Sequence, residues 1–462
     1  MTTSQATRSK AAAQPLQDRR AADEAPGPLG ALIAASLTLG VVLAAAVSLG
    51  LLAGASEATI VGAALLGFAS GWAVLAAATT RLTRHPQRWA AVPAAVLGVG
   101  GAALLATSPG EPVMTRLAWV WAPTLVVLAV WVHRRARSQV RGARGLPVHL
   151  AALLMLLAGV GGMYEAATQP TDAAMGAMPG KLVDVGGYRL HLDCIGTGSP
   201  TVVLLNGLQE SSPYWSRVAP QVAPSTRVCS YDRAGQGWSD DSPHAADAAH
   251  VAADLHAVLT KGGETGPYVL AGHSSGGVYA LTYASRYPAD VAGMVLLDSA
   301  SPYQVDLLPS FNGQYNVARR VAAVAPTIAR TGIWHAATSG FTPTLPGNAG
   351  QQAARFAVGP RGLRNLRAEQ SVLPTSFRQA QALQTLGSTP LVVLTAEDTV
   401  DKTAGWGAAQ NRLADLSTDV RHVVAHLDHA GLLDDPDGAA LSAHSIADVV
   451  TAARDHTPLT GQ

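Results

Sequence analysis

The sequence predicts a chain in two parts: an all-α bundle of about five membrane-spanning helices, then an α/β domain built on an eight-stranded, mostly parallel sheet. Three observations predict it. Residues 29–164 are dominated by Ala, Leu, Val and Gly, whereas most Asp, Glu and His residues lie beyond 165. From Lys181 onward, short β-rich runs alternate with helical stretches. Within that second half, Gly272-His273-Ser274-Ser275-Gly276 joins an apolar run to a helical stretch.

The five apolar stretches are 29–54, 58–79, 89–107, 117–132 and 147–164. Each is near the ~20 residues needed to cross the hydrocarbon core, the last three being at or below the lower limit. Between Leu29 and Thr79 the sole charged residue is Glu57, in a predicted turn. Trp89, Trp119, Trp131 and Tyr164 fall near segment ends, where amphipathic rings favour the headgroup level. The basic residues orient the bundle: Arg8, Lys10, Arg19 and Arg20 precede the first span, Arg81, Arg84 and Arg88 follow the second, and Arg134, Arg135, Arg137, Arg141 and Arg144 follow the fourth. All three groups fall on one side, with Arg116 dissenting. By the positive-inside rule, residues 1–28 form a cytoplasmic tail, and everything after Tyr164 lies outside the cytoplasm in a multi-pass cell-membrane protein. A cleaved signal ending near Ala53-Gly54-Ala55 is the alternative for the first segment and leaves the later topology unchanged. The spans lack an intramembrane acid, lysine or glycine-broken helix and read as an anchor or small interaction bundle, with a transport or partner-binding function of their own as the alternative; 165–180 reads as a linker. The net charge of +1, with arginine clusters confined between apolar segments, gives no case for nucleic acid.

In the second half, 182–185 and 189–195 flank Gly186-Gly187 as an opening hairpin, followed by strands at 201–205, 227–231, 267–271, 291–297, 391–395 and 420–425. Several are continuous apolar runs, as parallel strands covered on both faces require. Helices are predicted at 246–259, 277–287, 404–416 and 439–453, and an insertion at 301–388 reads as a cap over the site.

The pattern G-x-S-x-G at Ser274 reads as a nucleophile elbow, where a sharp strand-to-helix turn demands small neighbours. Gly272-His273-Ser274-Ser275-Gly276-Gly277, 231–239 (beginning Tyr231-Asp232-Arg233) and Asp428-His429-Ala430 recur in this order in α/β-hydrolases. Over roughly 181–454 the chain resembles that family, in its serine-hydrolase form. The runs 226–240 and 291–299 are most similar to a bacterial group of membrane-associated or secreted members. The resemblance implies an α/β-hydrolase domain at 181–462, with a Ser, acid, His order of catalytic residues.

A serine hydroxyl needs a base and a group that orients the base. Ser274 is the expected nucleophile and His429, in the loop after the last strand, the expected base. For the acid, Asp398 in the loop after 391–395 is the first choice, with Glu397 and Asp298 as alternatives. Ala396 stands where the family pattern has glycine and Thr399 where it has the acid, which leaves the register open by one residue. The expected oxyanion donors are the backbone amides of Ser275 and, from the turn Asn206-Gly207-Leu208-Gln209, Leu208; Asn206 departs from the family's usual histidine. Asp232 and Arg233 are expected to brace that turn, Trp215 and Trp238 to pack the wall, and His273 to point away from the hydroxyl. Cys194 and Cys229 fall on strands that are neighbours in this fold, so they are either bridged or buried thiols. No cofactor is implied, and no spacing of cysteine and histidine suggests a metal. Cap residues Phe311, Tyr315, Trp334, Phe341 and Phe356 suggest an apolar acyl or alcohol pocket, or packing within the cap. Ser274 in place of an aspartate disfavours dehalogenase and epoxide hydrolase chemistry. The expected activity is hydrolysis of carboxylic esters or related acyl bonds, with a lipid bilayer as the chain's other contact. Peptidase, amidase or acyltransferase chemistry on the same residues, and a non-catalytic binding or sensor module, are the alternatives.

Overall fold

The computed structural model describes residues 28–140, 142–168, 177–334 and 342–459. The N-terminal tail, Arg141, Phe341 and residues 169–176 of the expected linker lie outside them. The chain divides into two compact units, one comprising Met1–Thr168 with Arg330–Trp334, the other Gln169–Ala329 with His335–Gln462.

The first unit is all-helical: α1 (Pro28–Ala45, continued by a π-helical turn Ala46–Leu51), α2 (Glu57–Leu82), α3 (Ala91–Thr107), α4 (Glu111–Gln139) and α5 (Leu146–Thr168). With their flanking turns, all five are long and apolar enough to cross a membrane. The fourth and fifth are longer than the apolar runs 117–132 and 147–164. Helix α4 continues through Arg134, Arg135 and Arg137 because long basic side chains can run along a helix while their heads reach water. Small residues let the helices meet closely: a Cβ on Gly67 would lie 2.6 Å from the Ala44 nitrogen, and one on Gly71 would lie 2.8 Å from the Ser36 oxygen. Ile33, Trp72, Leu75 and Val132 fill the interior, while Leu51, Val99 and Val127 are exposed. Within this unit Arg330 forms ion pairs with Glu57 and Glu111, each at 2.6 Å.

The second unit carries eight strands: β1 (Lys181–Asp184), β2 (Arg189–Ile195), β3 (Thr201–Leu205), β4 (Val228–Tyr231), β5 (Tyr268–His273), β6 (Val291–Leu297), β7 (Leu391–Ala396) and β8 (Val420–Ala425). Their order across the sheet is β1-β2-β4-β3-β5-β6-β7-β8; β2 runs antiparallel to both neighbours and the rest are parallel. Alternation builds two cores. Val203, Leu205 and Leu270 face one side, against helices α6 (Ala248–Gly262) and α7 (Ser275–Arg286). Val202, Leu204 and Val269 face the other, against the C-terminal helix Pro436–Asp455. All five β3 residues are buried, which explains their unbroken apolar run. Between β6 and β7 the insertion folds as α8 (Phe311–Arg330), α9 (Ala349–Val358) and α10 (Pro360–Ala380), and α11 (Trp406–Ala414) follows β7.

Cys194 and Cys229 are directly opposite in the β2/β4 register and are joined by a disulfide.

Candidate active site

Ser274 joins the end of the central strand β5 to the start of α7 at φ 54°, ψ −125°, a conformation costly for any residue with a side chain. The flanking glycines make it possible. A Cβ on Gly276 would lie 2.1 Å from the Leu205 oxygen, and one on Gly272 would lie 2.6 Å from the Gly277 nitrogen, so neither position admits alanine without moving backbone. Ser275 is the first residue of α7, where an N–H has no partner within the helix.

His429 follows β8, and its Nδ1 lies 2.6 Å from Asp298 Oδ2. Asp298 directly follows β6, is fully buried, and takes a positive φ of 39°. It also accepts from Thr399 Oγ1 (2.7 Å), Trp406 Nε1 (2.8 Å) and the Ala396 amide (3.2 Å). Burial alone would raise its pKa; the hydrogen bonds from His429, Thr399 and Trp406 outweigh it and hold the carboxyl below its ordinary value.

The expected first choice of acid, Asp398, is thereby corrected. Strand β7 turns at once into a helical turn, Glu397–Lys402, that carries Asp398 outward to pair with Lys402 at 2.8 Å on the surface. Glu397 pairs instead with the exposed His426. Thr399, which occupies the family's acid position, reaches the site as a donor to Asp298.

The turn after β3 is held from several sides. Asn206 donates to the Tyr231 carbonyl and accepts from Trp215 Nε1, both at 2.8 Å. Arg233 donates to the carbonyls of Asn206 (2.5 Å) and Gly207 (2.9 Å). Asp232 fixes the following segment through the Ser212 amide at 2.7 Å. Sequence reasoning missed two carboxylates here. Glu369 on α10 pairs with Arg233 at 2.9 Å, both side chains 3% exposed, and so joins the cap to the turn. Glu210 accepts from the Gly207 amide at 2.5 Å and lies 2.7 Å from Nδ1 of His273. A carboxylate three residues after the glycine of the turn is the available signal for Glu210; nothing local marks Glu369.

Ser274, Ser275, Leu208 and His429 line one cavity of about 320 Å³, walled by Tyr279, Leu373, Phe377 and Trp406 with Gln304, Glu369 and Gln370 as its polar part. The cap aromatics expected to shape it pack elsewhere. Phe311 stacks on Tyr315 and contacts Phe377, and Phe356 meets Trp238 edge-on. Trp334 belongs to the first unit. Leu373 and Phe377 on α10 supply the apolar wall instead. The sulfurs of Cys194 and Cys229 lie near Glu264 in the one cluster of potential metal ligands among the described residues, but they are bonded to each other and Glu264 pairs with Arg227. That cluster therefore offers no thiolate donors.

The cavity thus brings together a serine on a strained elbow and a histidine hydrogen-bonded to a buried aspartate. An uncharacterized protein of Schizosaccharomyces pombe is 35% identical over 160 residues, covering 28% of this chain and 30% of its own length. The lipase LipV of Mycobacterium tuberculosis is 38% identical over 113 residues, 24% of this chain and 42% of its own. The chain spans between 20% and 49% of the length of the first three curated relatives it matches. Among solved structures, wild-type Cfl2 from Burkholderia cenocepacia superposes with a TM-score of 0.42 at 22% identity, covering 57% of this chain and 93% of its own. The model of the alpha/beta hydrolase fold matches residues 200–436, just over half of the chain and all of the site described above, and the protein belongs to the α/β-hydrolase family.

Proposed function

We propose that the protein is a membrane-anchored serine hydrolase that cleaves carboxylic esters or related acyl bonds, with Ser274 as nucleophile, His429 as base and Asp298 as the orienting acid. The observation that carries this reading is the hydrogen bond from buried Asp298 to His429, which lines the same cavity as the strained Ser274. His429 takes the Ser274 proton as Oγ attacks the acyl carbon. The tetrahedral oxyanion is received by the amides of Ser275 and Leu208, each such donor being worth ~2.7 to 4 kcal/mol. The proton then passes from His429 to the leaving alkoxide. Water, deprotonated by His429, hydrolyses the acyl-enzyme and restores the serine. The Leu373, Phe377 and Trp406 wall favours an apolar acyl or alcohol group. The likeness to a lipase supports ester over peptide bonds.

The arginine groups flanking the apolar segments of the sequence support an extracytoplasmic side for the catalytic unit. One experiment tests chemistry and sidedness together. A membrane-impermeant fluorophosphonate applied to intact cells is expected to label the wild type and not Ser274→Ala, and purified Ser274→Ala is expected to lose turnover of short activated esters. Turnover undiminished by Ser274→Ala rejects the mechanism. Labelling that appears only after permeabilisation rejects the sidedness. A wild type that labels with no serine probe favours the non-catalytic module.

A further inference from the structure

The residue between Gly272 and the nucleophile is a buried histidine, and its two ring nitrogens meet two different parts of the site. His273 is 1% exposed. Its Nδ1 lies 2.7 Å from Glu210 Oε1, and its Nε2 lies 3.0 Å from the backbone carbonyl oxygen of His429. Glu210 in turn receives the Gly207 amide on its other oxygen at 2.5 Å. A continuous chain of hydrogen bonds thus runs from the oxyanion turn, through Glu210 and His273, to the main chain of the base. We infer that Glu210 and His273 are positioning residues that set the oxyanion turn and the His429 loop in register with each other across the elbow. The inference rests on the serine-hydrolase reading above.

The chemistry of the chain is specific. The His429 carbonyl can only accept, so Nε2 carries a proton; an ionised Glu210 accepts from Nδ1 as well, which makes His273 an imidazolium paired to a carboxylate. Burial works against both charges; mutual attraction outweighs it, raising the His273 pKa and lowering that of Glu210. The rings of His273 and His429 are 4.5 Å apart, so a shift of the first displaces the second. Holding the carbonyl of residue 429 fixes the backbone from which the base projects, while Asp298 fixes its ring. Neither Glu210 nor His273 lines the cavity, which separates them from groups that touch substrate.

The test uses the full chain in detergent and two pairs of variants, each read for kcat, KM and melting temperature at a temperature where all are folded. Glu210→Ala is expected to lower kcat roughly ten- to a hundredfold with KM little changed, as a misplacement of about 1 Å does. Glu210→Gln, which can accept from Gly207 and donate to a neutral His273, is expected to recover most of that loss. His273→Gln retains a donor at the ε position for the His429 carbonyl, whereas His273→Asn keeps only the δ donor to Glu210. The asparagine variant is therefore expected to be the slower of the two, and this pair decides if Glu210→Ala does not fold. The Glu210→Ala/His273→Asn double variant should be no slower than the worse single, since both cut one chain. Wild-type kcat in Glu210→Ala, equal rates in the two His273 variants, or additive losses overturns the inference while leaving the serine mechanism intact. A wild type without turnover overturns both.

Discussion

The acid assignment gives the sharpest test, because two aspartates at the ends of adjacent parallel strands compete for one role. Asp298 accepts four hydrogen bonds, two on each oxygen: Ala396 and Trp406 on Oδ1, Thr399 and His429 on Oδ2. In Asp298→Asn the amide oxygen keeps the Oδ1 partners, and the amide nitrogen then faces Thr399 and His429. Nδ1 must accept instead of donate, which moves the imidazole proton to Nε2, the nitrogen that has to take the serine proton. The same tautomer reversal in a serine protease triad costs roughly 10⁴ in kcat, or about 5.5 kcal/mol of transition-state stabilisation. The fold should survive, because the substitution preserves shape and fills every position with a polar atom. Asp398→Asn removes only the exposed pair with Lys402 and should leave kcat within about twofold. The assay is initial-rate hydrolysis of a short activated ester by the full chain, with melting temperature as the folding control. Near-wild-type turnover in Asp298→Asn, or a large loss in Asp398→Asn, would refute the reasoning.

Two further predictions concern stability. The Cys194–Cys229 disulfide closes a sequence separation of 35, so replacing both cysteines by serine should cost the hydrolase unit about 4 kcal/mol in the chain-entropy model, read as a lower urea midpoint, and added reductant should shift the wild type but not the variant. The Glu210–His273 pair predicts a pH profile. Below the histidine's ordinary value of 6.5 both folded and unfolded chains hold the proton and its contribution is complete; as pH rises through the raised folded value it is lost. On the acid side, the contribution of Glu210 is present above its ordinary 4.5 and is lost as pH falls through its lowered folded value. Above the histidine's ordinary value, melting temperature should therefore fall more steeply with rising pH for the wild type than for His273→Gln, and parallel slopes would count against the ion pair.

What the sequence disclosed and what it withheld divide along the range of the forces involved. The elbow was legible because its constraint is local: Gly272 and Gly276 are required by backbone within a few ångströms of their own Cβ positions, and that requirement is written in five consecutive residues. His429 was legible from chain order, since the last strand ends just before it. The acid was not. Strands β6 and β7 are adjacent, and each is followed closely by carboxylates, so the choice turns on the positive φ at Asp298 and on the helical turn that diverts Asp398 to Lys402. Neither feature has a strong local signature, and aspartate is among the residues that tolerate such a φ. Glu369 was further out of reach, because its partner Arg233 lies 136 residues away and only the folded cap brings them together. The cap aromatics left pocket lining and cap packing undecided for the same reason: Phe311 stacks on Tyr315 and meets Phe377, and Leu373 and Phe377 face the cavity.

The departure at Asn206 and the presence of Glu210 are two sides of one arrangement. A turn that offers its amides to an oxyanion cannot also satisfy them internally, so its shape must be fixed through its carbonyls and side chains. Asn206 uses both ends of its amide, one toward Tyr231 and one toward Trp215, and is thereby committed to the protein interior. Arg233 takes the carbonyls of Asn206 and Gly207, and Glu210 takes the Gly207 amide, while the next residue, Leu208, lines the cavity. The charges are balanced locally: Arg233 against Glu369, Glu210 against His273. A buried charge left without its partner costs several kcal/mol, so each pair constrains the elements that contribute it. The first pair ties the turn to cap helix α10, and the second ties it to the elbow and to the base. In the proposed mechanism, a turn placed in this way is preorganised for the oxyanion by the same contacts that hold the cap wall and His429, which is why perturbations at Glu210 should appear in kcat rather than in substrate binding.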